Sequence, residues 1–420
     1  MVKKFASWSV FITRARRVTA TIVSLCMLCF VTFLCAWCNL VYVRAFYFTA
    51  NLSLELFSTK HLEHTQTELA NTRMNNNRRI IQLLHHKPPS RSKTTSSSTL
   101  GLLTTSKDLK AVVDALGTNP THAFGYGSGC FAQNPTPTPP PMLDLILSTP
   151  NPHQFHAQNL ISHPHHYTSL MHFLGPTTIT ALQRDFGASC WFNPLVSITP
   201  KNHQPRTIKY GVVHEDDLVL DLKTWSSLYL AGRMMKPIGG VRESDRVREA
   251  MNCNFRSATA AGLLLLLGDT NRSKIDFDEL FGSIANISYA GDVRMKVGGE
   301  DPNKVNKLVT SEGQRERFVE IYRPWLIELE KRGVGAVDFE EGAIRLENSD
   351  GCREELIRWL PEGIAKKLKS GKFDLNLFES LLGEIVFSSS LKQSCKGVLT
   401  AGVMRSAVYA GAKFRKGLEG

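Results

Sequence analysis

The sequence predicts an α/β fold in which a mixed sheet with helices is followed by a mainly helical domain, both behind an N-terminal transmembrane or targeting segment. Three observations support this prediction. Strand and helix patterns alternate over residues 108–245, helical patterns dominate residues 246–345, and an uncharged apolar run lies within residues 1–43. Alternating strands and helices are typical of α/β domains. Residues 44–107 are predicted to form a flexible stem, and residues 346–420 a C-terminal helical region.

The composition excludes several classes of protein. At about 100–200 residues per domain, a chain of 420 residues with 42% hydrophobic residues has room for two or three domains. The formal net charge is +12, but residues 1–107 hold fourteen Lys or Arg against three Asp or Glu, which leaves +1 for the remainder. Nucleic acid is therefore not an expected partner. The nine cysteines do not show the spacing of a disulfide framework.

The N-terminal segment favours a membrane anchor. No charged residue occurs from Val18 to Val43, and five Lys or Arg residues precede this run. Since about 20 apolar residues cross a bilayer, a transmembrane helix is the leading interpretation. The absence of any acid before Glu55 also fits a segment for import into an organelle, and both interpretations stay open. The polar stretch that follows is rich in Ser and Thr from Pro88 to Ser106, which predicts the flexible stem.

Stable packing is predicted to begin near Asp108, where apolar residues recur at helical spacing until Gly117. Pro164 is expected to end or kink the helix predicted over Gln154–His163. The further predicted elements are a strand from His122 into a glycine turn at Gly127–Gly129, a strand over Met142–Ser148, a helix over Gln154–His163, a strand over Thr207–Val213 and a helix over Asp216–Gly232.

The second half of the chain is predicted to be mainly helical. Helices are expected over Arg256–Leu267, Asp276–Ile287 and Gly313–Arg332, with Asp276 as an N-cap. Residues 391–420 hold six Lys or Arg against one acid, with apolar residues between them. This composition fits a basic membrane-surface segment or a basic solvated tail.

The strongest local pattern for chemistry is the turn Gly127-Ser128-Gly129, followed by Asp144 in an apolar strand. Backbone N–H groups in such a turn cradle phosphate oxygens, because no Cβ blocks their approach. A carboxylate on an adjacent strand then holds a divalent metal against those phosphates. This layout resembles the nucleotidyltransferase superfamily, except that Ile146 stands where a second acid is usual.

The missing acid has candidates after the Thr207–Val213 strand, although acids in the first turn of a helix also act simply as stabilising caps. Basic residues near the ends of predicted elements are suited to neutralise a phosphate, or are ordinary surface residues. The acidic candidates are Glu215, Asp216, Asp217 and Asp221, and the basic candidates are Lys209, Arg233 and Lys236.

Six histidines occur between His153 and His172. His156, Asn159 and His163 share one face of the predicted helix. Neither a Cys nor a carboxylate completes a metal-binding set nearby in the sequence, so ligand positioning or surface exposure is favoured over a metal site.

An ordered series of blocks over residues 108–420 resembles the mitochondrial phosphatidate cytidylyltransferases, also called the mitochondrial translocator assembly and maintenance family. One departure is that Thr149-Pro150-Asn151 stands where the family has a further acid. The blocks are AFGYGSG (Ala123–Gly129), PMLDLIL (Pro141–Leu147), HAQNL and HPHHY (His156–Tyr167), IKYGVV (Ile208–Val213), DLKTWSSLYLAGRMMKP (Asp221–Pro237), SYAGDVRM (Ser288–Met295), GEDPNKV (Gly299–Val305) and KQSCKGVLTAG (Lys392–Gly402).

The resemblance implies an enzyme that makes CDP-diacylglycerol and pyrophosphate from CTP and phosphatidic acid, on the route to phosphatidylglycerol and cardiolipin. It also implies a nucleotidyltransferase domain followed by a winged-helix-like domain, with Mg²⁺ as cofactor. The C-terminal segment is then expected to contact the anionic matrix face of the mitochondrial inner membrane. A homo-oligomer is compatible with the sequence.

The residues that match the family carry expected roles. Asp144, Asp221 and Lys209 are the expected catalytic residues, and Asp144 and Asp216 the expected metal ligands. The expected nucleotide-binding residues are Tyr126, Gly127, Ser128, Gly129 and Lys236, and those expected to line the substrate cleft are His156, Asn159, His166, Tyr167 and Arg233.

Two other functions remain open from the sequence. A type II membrane glycosyltransferase of the secretory pathway also has a short basic N-terminus, one apolar span and a Ser/Thr/Pro-rich stem. A catalytically inactive assembly factor of the inner membrane is motivated by Ile146 and the missing acid. Glycosidase sensitivity would favour the first, and measurable cytidylyl transfer would eliminate the second.

Overall fold

The computed structural model describes residues 104–131, 141–201, 203–268, 272–292, 305, 308–309, 313–347, 350–368 and 373–401. The predicted anchor, nearly all of the predicted stem and the basic residues 402–420 lie outside these ranges. Over the described parts of the chain, no helix combines the length and the apolar character needed to cross a bilayer.

Helices and strands alternate through the described ranges. The helices are α1 Ser106–Ala115, α2 Pro152–Ser162, α3 Ser169–Asp185, α4 Glu215–Thr224, α5 Ala231–Met234, α6 Asp245–Leu267, α7 Phe277–Ile287, α8 Gln314–Lys331, α9 Asp350–Trp359, α10 Glu362–Leu368 and α11 Leu375–Ala401. The strands are β1 His122–Tyr126, β2 Leu143–Thr149, β3 Cys190–Ile198, β4 Arg206–His214, β5 Gly239–Arg242, β6 Lys274–Asp276, β7 Gly335–Asp338 and β8 Ala343–Leu346.

The first sheet has five strands in the order β3-β4-β2-β1-β5. Strands β2 and β4 are parallel, whereas β1 is antiparallel to β2 and β5, and β3 is antiparallel to β4. The predicted mixed α/β sheet is therefore confirmed. Parallel strands need a long crossover connection, and α2, α3 and β3 lie within the connection from β2 to β4.

The two faces of this sheet are buried by different helices. Leu145 and Tyr210 lie in a core with residues of α1, α2 and α3. Ile146 and Val213 lie in the other core, with residues of α4 and α6. Because successive strand residues point to opposite faces, Lys209 belongs to the α4 and α6 side while its neighbour Tyr210 belongs to the α1–α3 side.

One predicted helix is broken, and a helix and a strand between β2 and β4 were not predicted. The predicted helix over Asp216–Gly232 is broken, because Trp225 adopts a left-handed conformation (φ 55°) and ends α4. Helix α3 was missed because Gly175 (φ 76°) and Pro176 interrupt its helical pattern. Strand β3 was missed because its pairing with β4 shifts after Asn193, which is followed by a proline.

The second half contains the predicted helices and a small sheet. Helix α6 is buried along most of its length, and β6, β8 and β7 form a three-stranded antiparallel sheet. Asp276 is the N-cap residue of α7, as predicted, and its backbone N–H donates to the Glu279 carboxylate at 3.1 Å. The winged-helix-like architecture stays a prediction.

One hydrophobic core extends across the predicted domain boundary at residue 245. It includes Val213 and Leu218 on one side, and Ala258, Phe281 and Leu356 on the other. The described part of the chain therefore has a core that is continuous from the first sheet into the helical region. The boundaries proposed at residues 245 and 345 stay predictions.

Candidate active site

The glycine turn follows β1 directly, as predicted. Gly127 has φ 73°, and a Cβ built on it would lie 3.9 Å from Asp144 Oδ2. A Cβ on Gly129 would lie 2.4 Å from the Met142 carbonyl oxygen, so that position accepts only glycine. The Gly129 carbonyl accepts hydrogen bonds from Thr104 Oγ1 at 2.8 Å and from Arg206 Nη2 at 3.0 Å. The turn therefore packs closely against the start of the strand that carries Asp144, and its hydrogen bonds join it to Thr104 and Arg206.

Three side chains meet across neighbouring strands beside this turn. Tyr126 on β1 is paired with Asp144 on β2, and Asp144 is paired with Lys209 on β4. Lys209 Nζ lies 3.5 Å from Asp144 Oδ1, and both side chains are largely buried. The sequence thus correctly placed Asp144 and Lys209 on strands, and the structure brings them together.

Aromatic side chains surround the Asp144–Lys209 pair. Lys209 Nζ lies 4.6 Å from the centre of the Phe192 ring, and Phe192 lies in edge contact with Tyr229, with ring centres 6.2 Å apart. Phe192 reaches Lys209 because Gly211 has no Cβ, which would otherwise lie 2.7 Å from the Phe192 ring. These aromatic rings reduce the exposure of the ammonium to water, which strengthens its electrostatic interactions.

Arg233 completes this group of residues. Its guanidinium carbon lies 3.9 Å from the centre of the Tyr229 ring and 5.7 Å from that of Tyr126. Burial raises the pKa of Tyr126 above its ordinary value, and Lys209 lowers it in opposition. The site therefore combines two cations, one carboxylate and a glycine turn, which suits the binding of a polyphosphate.

Lys236 lies in different surroundings from Lys209 and Arg233, the other two basic residues predicted for the site. Its side chain is buried, and Nζ donates to the Gly232 carbonyl at 3.0 Å and to Ser288 Oγ at 2.6 Å. The ammonium also lies 4.5 Å from the centre of the Tyr289 ring. These contacts join the end of α5 to the end of α7, and a role in nucleotide binding stays a prediction.

The structure corrects the prediction that Asp216 shares a metal with Asp144. Asp144 is paired with Lys209, whereas the other end of the same strand pair joins Thr149 to His214. Asp216 follows His214, so about 17 Å of strand, at roughly 3.4 Å per residue, separates the two acids. The exposed Asp216 carboxylate instead accepts a hydrogen bond from Arg246 Nη2 at 2.7 Å, which lowers its pKa.

Asp221 also lies apart from the Asp144–Lys209 pair in its contacts. Its buried carboxylate accepts hydrogen bonds from four backbone N–H groups of the segment that joins α4 to α5, and from Ser227 Oγ at 2.9 Å. Ionised carboxylates have about four lone-pair sites, and these contacts occupy them. The carboxylate is therefore placed to organise this segment, and its expected catalytic role stays a prediction.

The predicted cleft residues of α2 and its following turn lie on the opposite face of the sheet. Tyr210 Oη is the centre of their network, since it accepts from Asn159 Nδ2 at 2.6 Å and lies 2.8 Å from His166 Nδ1. Tyr167 Oη lies 2.8 Å from His156 Nδ1 and accepts from Asn159 Nδ2 at 3.1 Å. Tyr210 and Lys209 are adjacent on β4 and therefore point to opposite faces of the sheet. This network thus lies on the face opposite to Asp144.

The network on that face is buried. His156 is fully buried, and burial lowers its pKa to about 4, so the ring is neutral at physiological pH. Its other nitrogen lies 2.7 Å from Gln183 Oε1. The network therefore packs against β4 on the α1–α3 side of the sheet. This placement does not support the expected cleft role, which was predicted for His156, Asn159, His166 and Tyr167.

A Mg²⁺ ion fits the Asp144 position in its chemistry. Among the described residues, no group of three or more His, Cys, Asp or Glu side chains forms a metal cluster. Mg²⁺ at phosphoryl-transfer sites is commonly held by one or two carboxylates together with substrate phosphates and water. Asp144 beside the glycine turn offers such a single carboxylate, with the Cβ-free Gly127 next to Oδ2.

Sequence reasoning missed Phe192 and Tyr229 as parts of the site. Phe192 lies on the strand that was not predicted, and Tyr229 lies where a continuous helix was expected. Gly211 within IKYGVV was the available signal, because a glycine inside a strand often marks a close approach by another group.

A glycine turn after the first strand, an acid on the antiparallel second strand and flanking cations define this protein as a nucleotidyltransferase. A family model described as "Phosphatidate cytidylyltransferase, mitochondrial" matches residues 109–416. Proteins named mitochondrial phosphatidate cytidylyltransferase are similar to this chain. The Saccharomyces cerevisiae protein is 34% identical over 314 residues, which cover 74% of this chain and 71% of the yeast protein. The Xenopus laevis protein is 33% identical, over 70% of this chain and 89% of its own length.

The chain belongs to the mitochondrial phosphatidate cytidylyltransferase family. The resemblance stated from the sequence blocks is therefore confirmed. The enzyme class is that of a nucleotidyltransferase that makes CDP-diacylglycerol, and neither the secretory glycosyltransferase nor the inactive assembly factor is favoured.

Proposed function

We propose that this chain carries out the cytidylyl transfer of its family at the Asp144–Lys209 pair. A phosphate oxygen of phosphatidic acid forms a bond to the α-phosphorus of CTP, and the bond from that phosphorus to the bridging oxygen of the β-phosphate breaks. The products are CDP-diacylglycerol and pyrophosphate. The observation that carries the proposal is the placement of one acid and one ammonium 3.5 Å apart beside the glycine turn.

The phosphate of phosphatidic acid is already an anion, so the reaction needs alignment and charge neutralisation more than a strong base. The backbone N–H groups of Gly127–Gly129 would bind the CTP phosphates. Lys209 and Arg233 would neutralise the charge that develops on the departing pyrophosphate. Phe192 and Tyr229 would keep water from the reacting phosphorus, which limits hydrolysis of CTP.

Mg²⁺ is the proposed cofactor, with Asp144 as its protein ligand. When bound, Mg²⁺ would neutralise phosphate oxygens and align the reacting groups. The chain offers one carboxylate at this position, so the substrate phosphates would supply further oxygens.

The proposed location is the matrix side of the mitochondrial inner membrane, with the product serving phosphatidylglycerol and cardiolipin synthesis. The names of the relatives support a mitochondrial location. The basic residues after α11 support contact with an anionic lipid surface, where phosphatidic acid would be met.

The test is transfer of label from CTP to phosphatidic acid in vesicles that also contain phosphatidylcholine, with Mg²⁺ present. Asp144→Asn is expected to lose activity by about 10²-fold or more, because it removes the charge that holds the cation. Asp245→Asn is the matched control, since Asp245 is exposed at the start of α6 and pairs only with surface groups in the described chain.

Activity of a folded Asp144→Asn protein equal to that of the control would overturn the role of Asp144. A folded wild-type protein that produces no labelled lipid would overturn the proposed activity and favour the assembly-factor hypothesis.

A further inference from the structure

The segment between α4 and α5 is folded around a single carboxylate. Trp225 and Leu228 both have left-handed backbone conformations, with φ 55° and 54°. Non-glycine residues adopt this conformation only where surrounding contacts hold them in it. The segment from Ser226 to Ala231 therefore has a specific shape that its own sequence does not favour.

The Asp221 carboxylate supplies those contacts. Oδ1 accepts from the backbone N–H groups of Ser227 at 2.8 Å and Leu228 at 3.0 Å. Oδ2 accepts from the backbone N–H groups of Leu230 at 2.9 Å and Ala231 at 3.0 Å. Asp221 lies on α4, and both oxygens of its carboxylate thus bind the segment that follows this helix.

A second polar side chain secures the far end of the segment. Asn254 Nδ2 donates to the Ala231 carbonyl at 3.0 Å, and Asn254 Oδ1 accepts from Trp225 Nε1 at 2.8 Å. Asn254 is fully buried. The segment is consequently fixed at Asp221 on one side and at α6 on the other.

Two members of the candidate active site depend on this segment. Tyr229 lies within it, and Arg233 lies on α5, four residues after Tyr229. The Arg233 guanidinium stacks on the Tyr229 ring at 3.9 Å and donates to the Tyr229 carbonyl. Tyr229 in turn contacts Phe192, against which the Lys209 ammonium lies.

We propose that Asp221 is a positioning residue for cytidylyl transfer, because its carboxylate holds the 226–231 segment in the shape that places Arg233 and Tyr229 beside the Asp144–Lys209 pair. This inference rests on the proposed function. It differs from a catalytic role because backbone N–H groups and the Ser227 hydroxyl already occupy both oxygens of the carboxylate, and Asp221 acts on the phosphates only through Arg233.

The test is a double-mutant cycle in the full chain with Asp221→Asn and Arg233→Met. Asparagine keeps the shape of aspartate but presents an N–H₂ group to two backbone N–H donors, which disrupts part of the segment. Asp221→Asn is expected to lower kcat/KM for CTP by about tenfold or more, since buried donors lose their acceptor. In the Arg233→Met background, the same change is expected to cost no more than about twofold, because coupled residues are not additive.

Three further measurements separate positioning from other roles. The Mg²⁺ concentration for half-maximal activity is expected to be the same in Asp221→Asn and wild type, and Arg233→Lys is expected to restore part of the Arg233→Met loss. Hydrogen exchange at the amides of Leu228, Leu230 and Ala231 is expected to accelerate in Asp221→Asn, whether or not the protein is active. Glu249→Gln, which removes an exposed partner of Lys223 on α4, is the control.

Additive losses in the double mutant, or a raised Mg²⁺ requirement, would show that Asp221 acts directly. Unchanged kcat/KM in a folded Asp221→Asn protein would also overturn the proposal. Should Asp221→Asn fail to fold, Ser227→Ala removes one hydroxyl bond to Oδ1 and is expected to give a smaller loss that again disappears in the Arg233→Met background. A wild-type protein without activity but with protected loop amides would contradict the proposed function and leave the anchoring by Asp221 intact.

Discussion

The Asp144 carboxylate and the Lys209 ammonium lie 3.5 Å apart on neighbouring parallel strands of the first sheet. Each is the register partner of the other, so their separation is set by the strand pairing rather than by flexible loops. A cation held in this way costs little to reorganise when charge develops on a phosphate beside it. Four predictions follow from this arrangement and from other buried polar groups of the described chain.

Lys209→Met is expected to reduce kcat by about 10²-fold, because it removes a preorganised cation from a partly buried site. Lys209→Arg keeps the charge and is expected to recover part of the activity. The measurement is labelled CDP-diacylglycerol formation at saturating CTP. Equal kcat for the Met variant and wild type would contradict a role for Lys209 in the reaction.

Tyr210→Phe is expected to destabilise the protein while leaving the chemistry intact. The hydroxyl accepts from Asn159 and Asn193, and its loss leaves buried donors without an acceptor, at a cost of about 1–3 kcal/mol. Urea unfolding measures the stability, and kcat is measured well below the unfolding transition. A large loss of kcat with unchanged stability would show instead that this face of the sheet takes part in catalysis.

Acid is expected to destabilise the fold through two buried histidines. Burial lowers the pKa of His122 and of His156 to about 4, whereas an unfolded histidine titrates near about 6.5. The unfolded chain therefore binds more protons between these values. The two histidines do not lower the free energy of unfolding above about pH 6.5, and this free energy falls as the pH drops toward about 4. His156→Gln is expected to flatten part of this dependence in thermal unfolding, and an unchanged slope would contradict it.

Lys396 on α11 is expected to make the stability of the fold depend on pH in the alkaline range. Its ammonium is almost fully buried and donates to the Gln183 and Phe186 carbonyls at 3.1 and 2.5 Å. Burial lowers its pKa to about 8, against about 10.4 for an exposed lysine. The unfolded state thus holds the proton more tightly, and the contribution of Lys396 to stability grows from about pH 8 to about pH 10.

The comparison that tests this uses Lys396→Met, since other groups also titrate in the alkaline range. Thermal unfolding of both proteins is measured at about pH 7.5 and about pH 9.5. The stability of wild type relative to the variant is expected to increase with pH. A difference that stays constant would show that Lys396 does not lose its proton in the folded protein.

The sequence alone determined the local elements that carry the site. The turn Gly127–Gly129, the strand with Asp144, the strand with Lys209 and the N-cap Asp276 were all predicted, because each depends on neighbouring residues whose spacing is visible in the chain. The order of the sequence blocks also determined the family, since a series of short motifs in one order is specific even where each motif is common.

Only the tertiary structure decided which of these residues meet. Lys209 and Tyr210 are adjacent in sequence but face opposite sides of β4, and the choice of side depends on which helices cover each face. Asp216 is separated from Asp144 by the length of a strand because β2 and β4 are parallel and in register. Asp221 is surrounded by backbone donors from residues that follow it, which requires a left-handed Trp225 that helical periodicity does not reveal. Strand phase, strand direction and backbone reversal are set by contacts between distant residues, so the sequence pattern could not supply them.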